Sequence, residues 1–155
     1  DGFNWAAFGW SAGEPEPAHW ELPKMKAFLQ LAAMHPTRIS VALHEYSYVR
    51  DNLDRQFPWL VGRFTKLFDA CDRNGIGRPT VLITEFGWTY QEVAHTLDQA
   101  MQVDLPWASQ LYAQHPQVQG AAIWYLGPGF GGIAQKAQPL IAPVTAYALR
   151  THFSY

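Results

Sequence analysis

The chain has 155 residues, which is enough for one ordinary domain and too few for two of normal size. Hydrophobic residues make up 48% and charged residues 15% of the sequence, which indicates a globular fold with a buried core and argues against a disordered chain. The net charge of −2 comes without a basic stripe, so nucleic acid is not an expected partner, and the lack of an apolar run of roughly 18 residues argues against a membrane span.

Four strand-like runs follow one another along the chain: residues 3–10 (FNWAAFGW), 38–44 (RISVALH), 80–85 (TVLITE) and 119–126 (QGAAIWYL). They begin 35 to 42 residues apart, which is the spacing of repeated βα units. Each run is almost continuously apolar, as expected of parallel strands that are covered on both faces. The predicted fold class is therefore α/β, with four parallel βα units in a single domain or fragment that spans residues 1–155.

Helical patterns fill the gaps between these strands. Pro23 suits the first turn of the first helix, Gly75 suits the end of the second, and Asp104 is predicted to cap the fourth. Apolar residues recur at helical spacing in the segments concerned. The predicted helices are residues 23–35, 59–75, 92–102, 104–115 and 141–152.

Cys71 is the only cysteine of the chain. A single cysteine excludes a disulfide within the chain and a zinc site built from cysteines. Because Cys71 lies on the apolar face of the second predicted helix, we expect it to be a core residue.

The segments that follow the strands are long and rich in glycine, proline and aromatic residues, whereas the return segments before the strands are short. Elaborate loops at the C-terminal ends of parallel strands are typical of α/β enzymes, whose active sites lie there. The glycine-rich segment at residues 127–132 (GPGFGG) is expected to form a mobile loop over a pocket. We therefore look for functional residues at this end of the sheet.

Polar and aromatic side chains stand at the C-terminal end of every predicted strand. The chain holds seven tryptophans, and several of them lie at these ends, where an indole can stack on the apolar face of a sugar. Core packing is the ordinary role of such rings. The candidate ligand-binding residues are Trp10, His44, Tyr46, Trp88 and Trp124.

Glu85 ends the apolar run TVLITE. A carboxylate at the end of a buried strand costs desolvation free energy unless something pairs with it or uses it. Its ordinary interpretation is an acid that pairs with an arginine or caps a loop. Tyr46 or His44, at the end of the adjacent strand, would instead hydrogen-bond the carboxylate and hold it ionised and oriented. These neighbours together predict a catalytic role for Glu85, whereas Glu45 is expected to point away by strand alternation and to be structural.

Three familiar motifs are incomplete. The run HEYSY at residues 44–48 lacks the second histidine of a zinc-protease helix, and GPGFGG lacks the lysine of a phosphate loop, so no metal and no cofactor is predicted. Ser11 in GWSAG matches G-x-S-x-G after a strand, but EPEP follows where a nucleophile elbow needs a helix. An α/β serine hydrolase that uses Ser11 stays an alternative.

Taken together, LHEYSY, LITEFGW and the later strand that carries Trp124 resemble the sixth, seventh and eighth strands of clan A glycoside hydrolases, which are retaining enzymes on a (β/α)8 TIM barrel. NWAAFGWSAGEPE is similar to the fifth strand and its loop in that superfamily. The resemblance covers essentially the whole chain as the C-terminal half of such a barrel. It implies hydrolysis of a β-linked poly- or oligosaccharide, as in cellulase-like enzymes of carbohydrate metabolism.

The resemblance also implies roles for individual residues. Glu85 would be the nucleophile, Tyr46 its hydrogen-bond partner, His44 a residue that lines the site, and Trp124 the floor of the subsite for the sugar to be cleaved. Clan A enzymes carry the acid/base glutamate in an Asn-Glu pair at the end of the fourth strand, and this chain has no such pair. Glu14 is the nearest substitute, although it lies in a long loop.

Retaining hydrolysis needs a second carboxyl group at about 5–5.5 Å from the nucleophile. A barrel of the clan A type typically has about 250 residues. Four βα units would leave two open strand edges. We therefore expect the chain to be inactive alone and to pair with an N-terminal half-barrel or with a second copy of itself. The alternative without chemistry is a non-catalytic carbohydrate-binding fragment that uses the same aromatic residues.

Overall fold

The computed structural model describes residues 2–47, 53–88, 96–124 and 132–151. Four strands, β1 (Trp5–Ala7), β2 (Ile39–Tyr46), β3 (Thr80–Gly87) and β4 (Val118–Ile123), form one sheet in the order β1-β2-β3-β4. Every neighbouring pair of strands is parallel. The predicted α/β class with four parallel strands is thus confirmed, and the sheet is compatible with half of a barrel.

The first strand is shorter than predicted. It ends at Ala7 because Phe8 adopts a φ of +76°, which an extended strand does not allow. The backbone then turns, and the amide of Trp10 donates a hydrogen bond of 2.5 Å to the carbonyl of Phe8. Trp10 therefore stands in a turn beyond the strand.

Helices follow each strand. The first two are α1 (Pro23–Met34) and α2 (Phe64–Arg73), and α2 begins later than predicted because residues 59–63 form turns. After β3 come α3 (Leu97–Gln99), a π-helical segment (Ala100–Asp104) and α4 (Leu105–Ala113). The chain ends in α5 (Ile133–Ala137) and α6 (Ile141–Thr151). Residues 92–95 and 152 of the predicted helices, and residues 127–131 of the glycine-rich loop, lie outside the described residues.

The prediction that Asp104 caps a helix is wrong. Its backbone is helical, with φ −71° and ψ −49°, so the helix passes through it, and its side chain makes no capping bond. The carboxylate instead accepts hydrogen bonds from Trp88 Nε1 at 2.7 Å and from Gln99 Nε2 at 3.2 Å. Thr96 provides the cap further upstream, where its hydroxyl accepts the amide of Gln99 at 3.0 Å.

The main core lies between the sheet and the helices. Alternate residues of β2 and β3, such as Val41, Leu43, Val81 and Ile83, are almost fully buried and belong to one apolar cluster with α2 and α4. Each large apolar side chain buried in this way contributes about 1.5–3 kcal/mol to stability. Cys71 is also fully buried, as predicted, and burial raises the pKa of its thiol to about 11, which keeps it in the unreactive thiol form.

The outer strands are much more open than the inner ones. Four of the six residues of β4, from Gln119 to Ala122, are exposed, and Trp5 of β1 is 51% exposed. A cavity of about 540 Å³ lies between β4, α4 and α6, lined among others by Ala121, Ser109 and Tyr147. Within the described residues, β1 and β4 each have one sheet neighbour, so each leaves an unpaired edge.

Gly62 and Gly75 allow a direct comparison of two left-handed turns. Gly62 has a φ of +76°, and a Cβ atom there would lie 2.5 Å from Cδ2 of Phe57 and 3.1 Å from Cδ2 of Leu111. Gly75 has a φ of +63° with nothing within 4 Å. We expect Gly75→Ala to cost about 1 kcal/mol for the backbone alone, and Gly62→Ala about 2–4 kcal/mol because the packing must also give way.

Urea unfolding of the two variants measures this difference. Equal losses would show that the turn at Gly62 moves to make room, and that its packing does not require glycine.

Candidate functional site

A β-bulge in β3 decides the direction of Glu85. Leu43 pairs with Ile83, but the next residue, His44, pairs with Glu85, so that Thr84 has no partner in β2. The pairing with β4 shows the same extra residue, between Ile83 and Phe86. If Thr84 were paired as an ordinary strand residue, alternation would turn Glu85 to the same face as Ile83, toward the helices. The bulge brings Glu85 instead to the face that carries His44 and Tyr46.

Three polar groups meet on this face. The hydroxyl of Tyr46 donates a hydrogen bond of 2.5 Å to Oε2 of Glu85. Nδ1 of His44 lies 3.2 Å from the same oxygen, and the side chains of His44 and Glu85 are 15% and 25% exposed. The carboxylate is therefore oriented by two neighbours and still open to solvent. This contact between Glu85 and both side chains is the one predicted from the sequence.

Aromatic packing and close backbone contacts hold Tyr46. Its ring is 5.7 Å from that of Trp124, edge to face at 73°. On β3, a Cβ atom at Gly87 would lie 3.4 Å from both Cε1 of Tyr46 and the carbonyl oxygen of Trp124. Tyr46 is 7% exposed, whereas Trp124 is half-buried. The phenol is thus fixed in place, and Trp124 presents part of its indole beside the Tyr46–Glu85 pair.

His44 has a further neighbour in the loop after β1. A Cβ atom at Gly9 would lie 3.4 Å from Nε2 of His44. Gly9 therefore lets the loop pass close to the imidazole edge that faces away from Glu85. Sequence reasoning did not single out Gly9, Thr84 or Gly87, although a glycine inside a strand is a known sign of a close backbone contact.

Trp10 and Trp88 occupy different settings. Trp10 is 43% exposed and packs against Phe8 with ring centroids 4.7 Å apart, so its indole is available for a ligand. Trp88 is only 6% exposed, and its Nε1 is bound to the carboxylate of Asp104. The structure thus brings Trp124 to the Glu85 group and places Trp88 in the core beside Phe86.

Glu45 lies on the opposite face of β2, as strand alternation predicted. It is fully buried and accepts hydrogen bonds from the amides of Gly62 and Arg63, at 2.7 and 3.0 Å, and from the hydroxyl of Tyr112 at 2.8 Å. Burial raises the pKa of Glu45 to about 7, while these three bonds oppose the rise. Sequence reasoning missed Tyr112, whose partner is 67 residues away in the chain.

No family model matches the chain, and neither does any curated protein or any solved structure. The candidate function therefore rests on the site itself.

The geometry around Ser11 differs from that of a nucleophile elbow. Ser11 is exposed, a turn at residues 12–13 follows it, and the next helical element is the 3-10 helix Pro17–Glu21. A nucleophile elbow needs a helix immediately after the serine. Glu14, the candidate second acid, is exposed in the same loop.

In the part of the chain that the structure describes, no group of three or more His, Cys, Asp or Glu side chains is placed to hold a metal ion. Among the same residues, no helix has the length and apolar character needed to cross a bilayer.

Proposed function

We propose that this chain carries the nucleophile of a retaining glycoside hydrolase that acts on a β-linked poly- or oligosaccharide. The observation that supports it is the pairing of an accessible Glu85 carboxylate with the Tyr46 hydroxyl at 2.5 Å and with His44 at 3.2 Å. A nucleophilic carboxylate must be ionised, oriented and reachable. The hydroxyl hydrogen bond orients the carboxylate, and the partial exposure of Glu85 gives access.

Both contacts of Glu85 among the described residues go to Oε2, and we assign the attack to Oε1. In the first step, Oε1 bonds to the anomeric carbon of the sugar while the bond from that carbon to the leaving oxygen breaks. The leaving group departs with the electron pair, and an α-linked glycosyl ester forms on Glu85. The exposed part of Trp124 next to Tyr46 suits the floor of this sugar subsite.

The second carboxyl group is proposed to come from a complementary half-barrel. Glu45 cannot serve, because it is fully buried on the other face of β2, and Glu14 is an exposed loop residue. The open edges of β1 and β4 favour such a partner, because each has unpaired backbone groups to offer. An N-terminal half-barrel with its own acid/base glutamate would close the barrel and complete the catalytic pair. A second copy of this chain would close the barrel but would supply no acid/base glutamate.

Activated substrates test the nucleophile apart from the missing acid. A dinitrophenyl β-glycoside needs no proton donor for departure of its leaving group, so the chain alone should attack it. We expect a burst of dinitrophenolate of up to one equivalent per chain, followed by almost no turnover. Mass spectrometry should locate one glycosyl unit on a peptide that contains Glu85.

The same experiment separates the alternatives. Binding of oligosaccharide without a burst, over a panel of such glycosides, would favour the non-catalytic carbohydrate-binding fragment. A glycosyl adduct on another residue would exclude Glu85 as the nucleophile, and labelling of Ser11 by a fluorophosphonate would support the serine hydrolase.

A further inference from the structure

The buried carboxylate of Glu45 connects the sheet to two other elements. Glu45 lies on β2 between His44 and Tyr46, the two residues that contact Glu85. Its Oε2 accepts the amide of Gly62 and the hydroxyl of Tyr112, and its Oε1 accepts the amide of Arg63. One side chain thus holds β2 to the turn before α2 and to α4.

Arg63 extends this connection to the loop after β1. Its Nη2 donates to the carbonyl of Pro15 at 2.6 Å and its Nη1 to the carbonyl of Trp59 at 2.8 Å. The side chain is 6% exposed, and the charges nearest to it are Glu45 and Glu14. Glu45 therefore anchors a turn that itself fixes the loop carrying Glu14 and Pro15.

The protonation state of Glu45 has a defined structural consequence. The N–H groups of Gly62 and Arg63 can only donate, so neither can accept a hydrogen bond from a protonated Glu45. The hydroxyl of Tyr112 can either donate or accept. Of these three partners, Tyr112 is therefore the one that can accept a hydrogen bond from the protonated carboxyl group, and the bond then runs in the reverse direction.

We propose that Glu45 is a positioning residue for Glu85: it sets the place of the Tyr46 hydroxyl at the site, and its hydrogen bond with Tyr112 reverses direction on protonation. This inference rests on the proposed function, because the positioned group is the proposed nucleophile. The pKa of about 7, raised by burial, puts the change within reach of ordinary buffers. Among the described residues, the titratable and charged groups that act on Glu45 are Tyr112 on α4 and Arg63 before α2.

Nuclear magnetic resonance on the full chain tests the coupling without any need for catalysis. The carboxyl ¹³C resonance of Glu45 and the ring resonances of Tyr46 are followed from pH 5 to pH 9. This range covers about 2 pH units on each side of the expected midpoint. A His44→Asn background removes the imidazole from the site. We expect both resonances to change with one midpoint near pH 7.

Two variants in the same background serve as comparisons. Glu45→Gln should remove the change in Tyr46, because a glutamine does not titrate. The hydroxyl of Tyr112 lowers the pKa of Glu45 through its hydrogen bond. Tyr112→Phe loses this bond, so the midpoint should move upward. Should Glu45→Gln fail to fold, the upward shift of the Tyr46 midpoint in Tyr112→Phe tests the coupling by itself.

A Tyr46 signal that stays constant while Glu45 titrates would overturn the proposal, and so would a Glu45 signal that does not titrate in this range. Failure of the proposed function is a separate result: it is a wild-type chain without a dinitrophenolate burst. That result leaves the measured coupling between Glu45 and Tyr46 unchanged, although the coupling would then have no catalytic purpose.

Discussion

Replacing Glu85 with glutamine is expected to abolish the dinitrophenolate burst while sugar binding is retained. Glutamine has nearly the same shape, and its carbonyl oxygen can still accept the Tyr46 hydroxyl that lies 2.5 Å from Oε2. Its neutral amide cannot form the glycosyl ester, so the burst rate should fall by about 10³-fold or more. Stopped-flow absorbance measures the burst, and calorimetry with an oligosaccharide measures the binding.

Glu21→Gln is the matched control for this variant. Glu21 is also a partly exposed glutamate, but it pairs with Arg73 at 2.7 Å on the surface and is far from Glu85 in the sequence. A solvent-exposed pair of this kind contributes little to stability, so the control should fold and give a full burst. A normal burst from Glu85→Gln would remove Glu85 from the mechanism.

Deleting Thr84 should make β3 a regular strand without moving Glu85 from its place opposite His44. Thr84 is the unpaired residue of the bulge in β3. Without it, Glu85 would follow Ile83 directly and still pair with His44. Phe86, which is 1% exposed, would keep its core position. The loss of stability should therefore stay well below that of truncating a buried phenylalanine, about 3–5 kcal/mol. Urea unfolding checks the stability.

Thr84→Ala keeps the number of residues and so keeps the bulge. Its side chain is exposed, and we expect its stability to change by no more than about 0.5 kcal/mol. The deletion should keep the burst, because Glu85 would still stand opposite His44. If the deletion unfolds at a much lower urea concentration than Thr84→Ala, or loses the burst, the bulge itself is needed to hold the register.

The sequence predicted the strands from their apolar runs and the meeting of Glu85 with Tyr46 from their neighbouring strand ends. Simple alternation would by itself have turned Glu85 to the face of Ile83. Buried parallel strands show as apolar runs, and their ends lie side by side. The same periodicity placed Glu45 on the far face, where it is fully buried.

Other features depend on contacts that no local pattern contains. Trp88 looked like a sugar platform beside Glu85, but a carboxylate 16 residues later, Asp104, binds its Nε1. The demand of Trp88 for an acceptor also explains why Asp104 is not a helix cap. The bulge at Thr84 was equally invisible, since nothing in TVLITE marks an extra residue.

The two sheet edges that stay unpaired within the described part of the chain have a practical consequence for handling this protein. Edge strands are usually protected by a lysine, a proline or an inward-pointing charge. Neither Trp5–Ala7 nor Val118–Ile123 contains any of these. Unprotected edge strands pair with other extended segments, including those of an unfolded neighbouring chain. Self-association that grows with protein concentration would thus compete with correct assembly. Binding of the complementary half-barrel should therefore be measured in dilute solution.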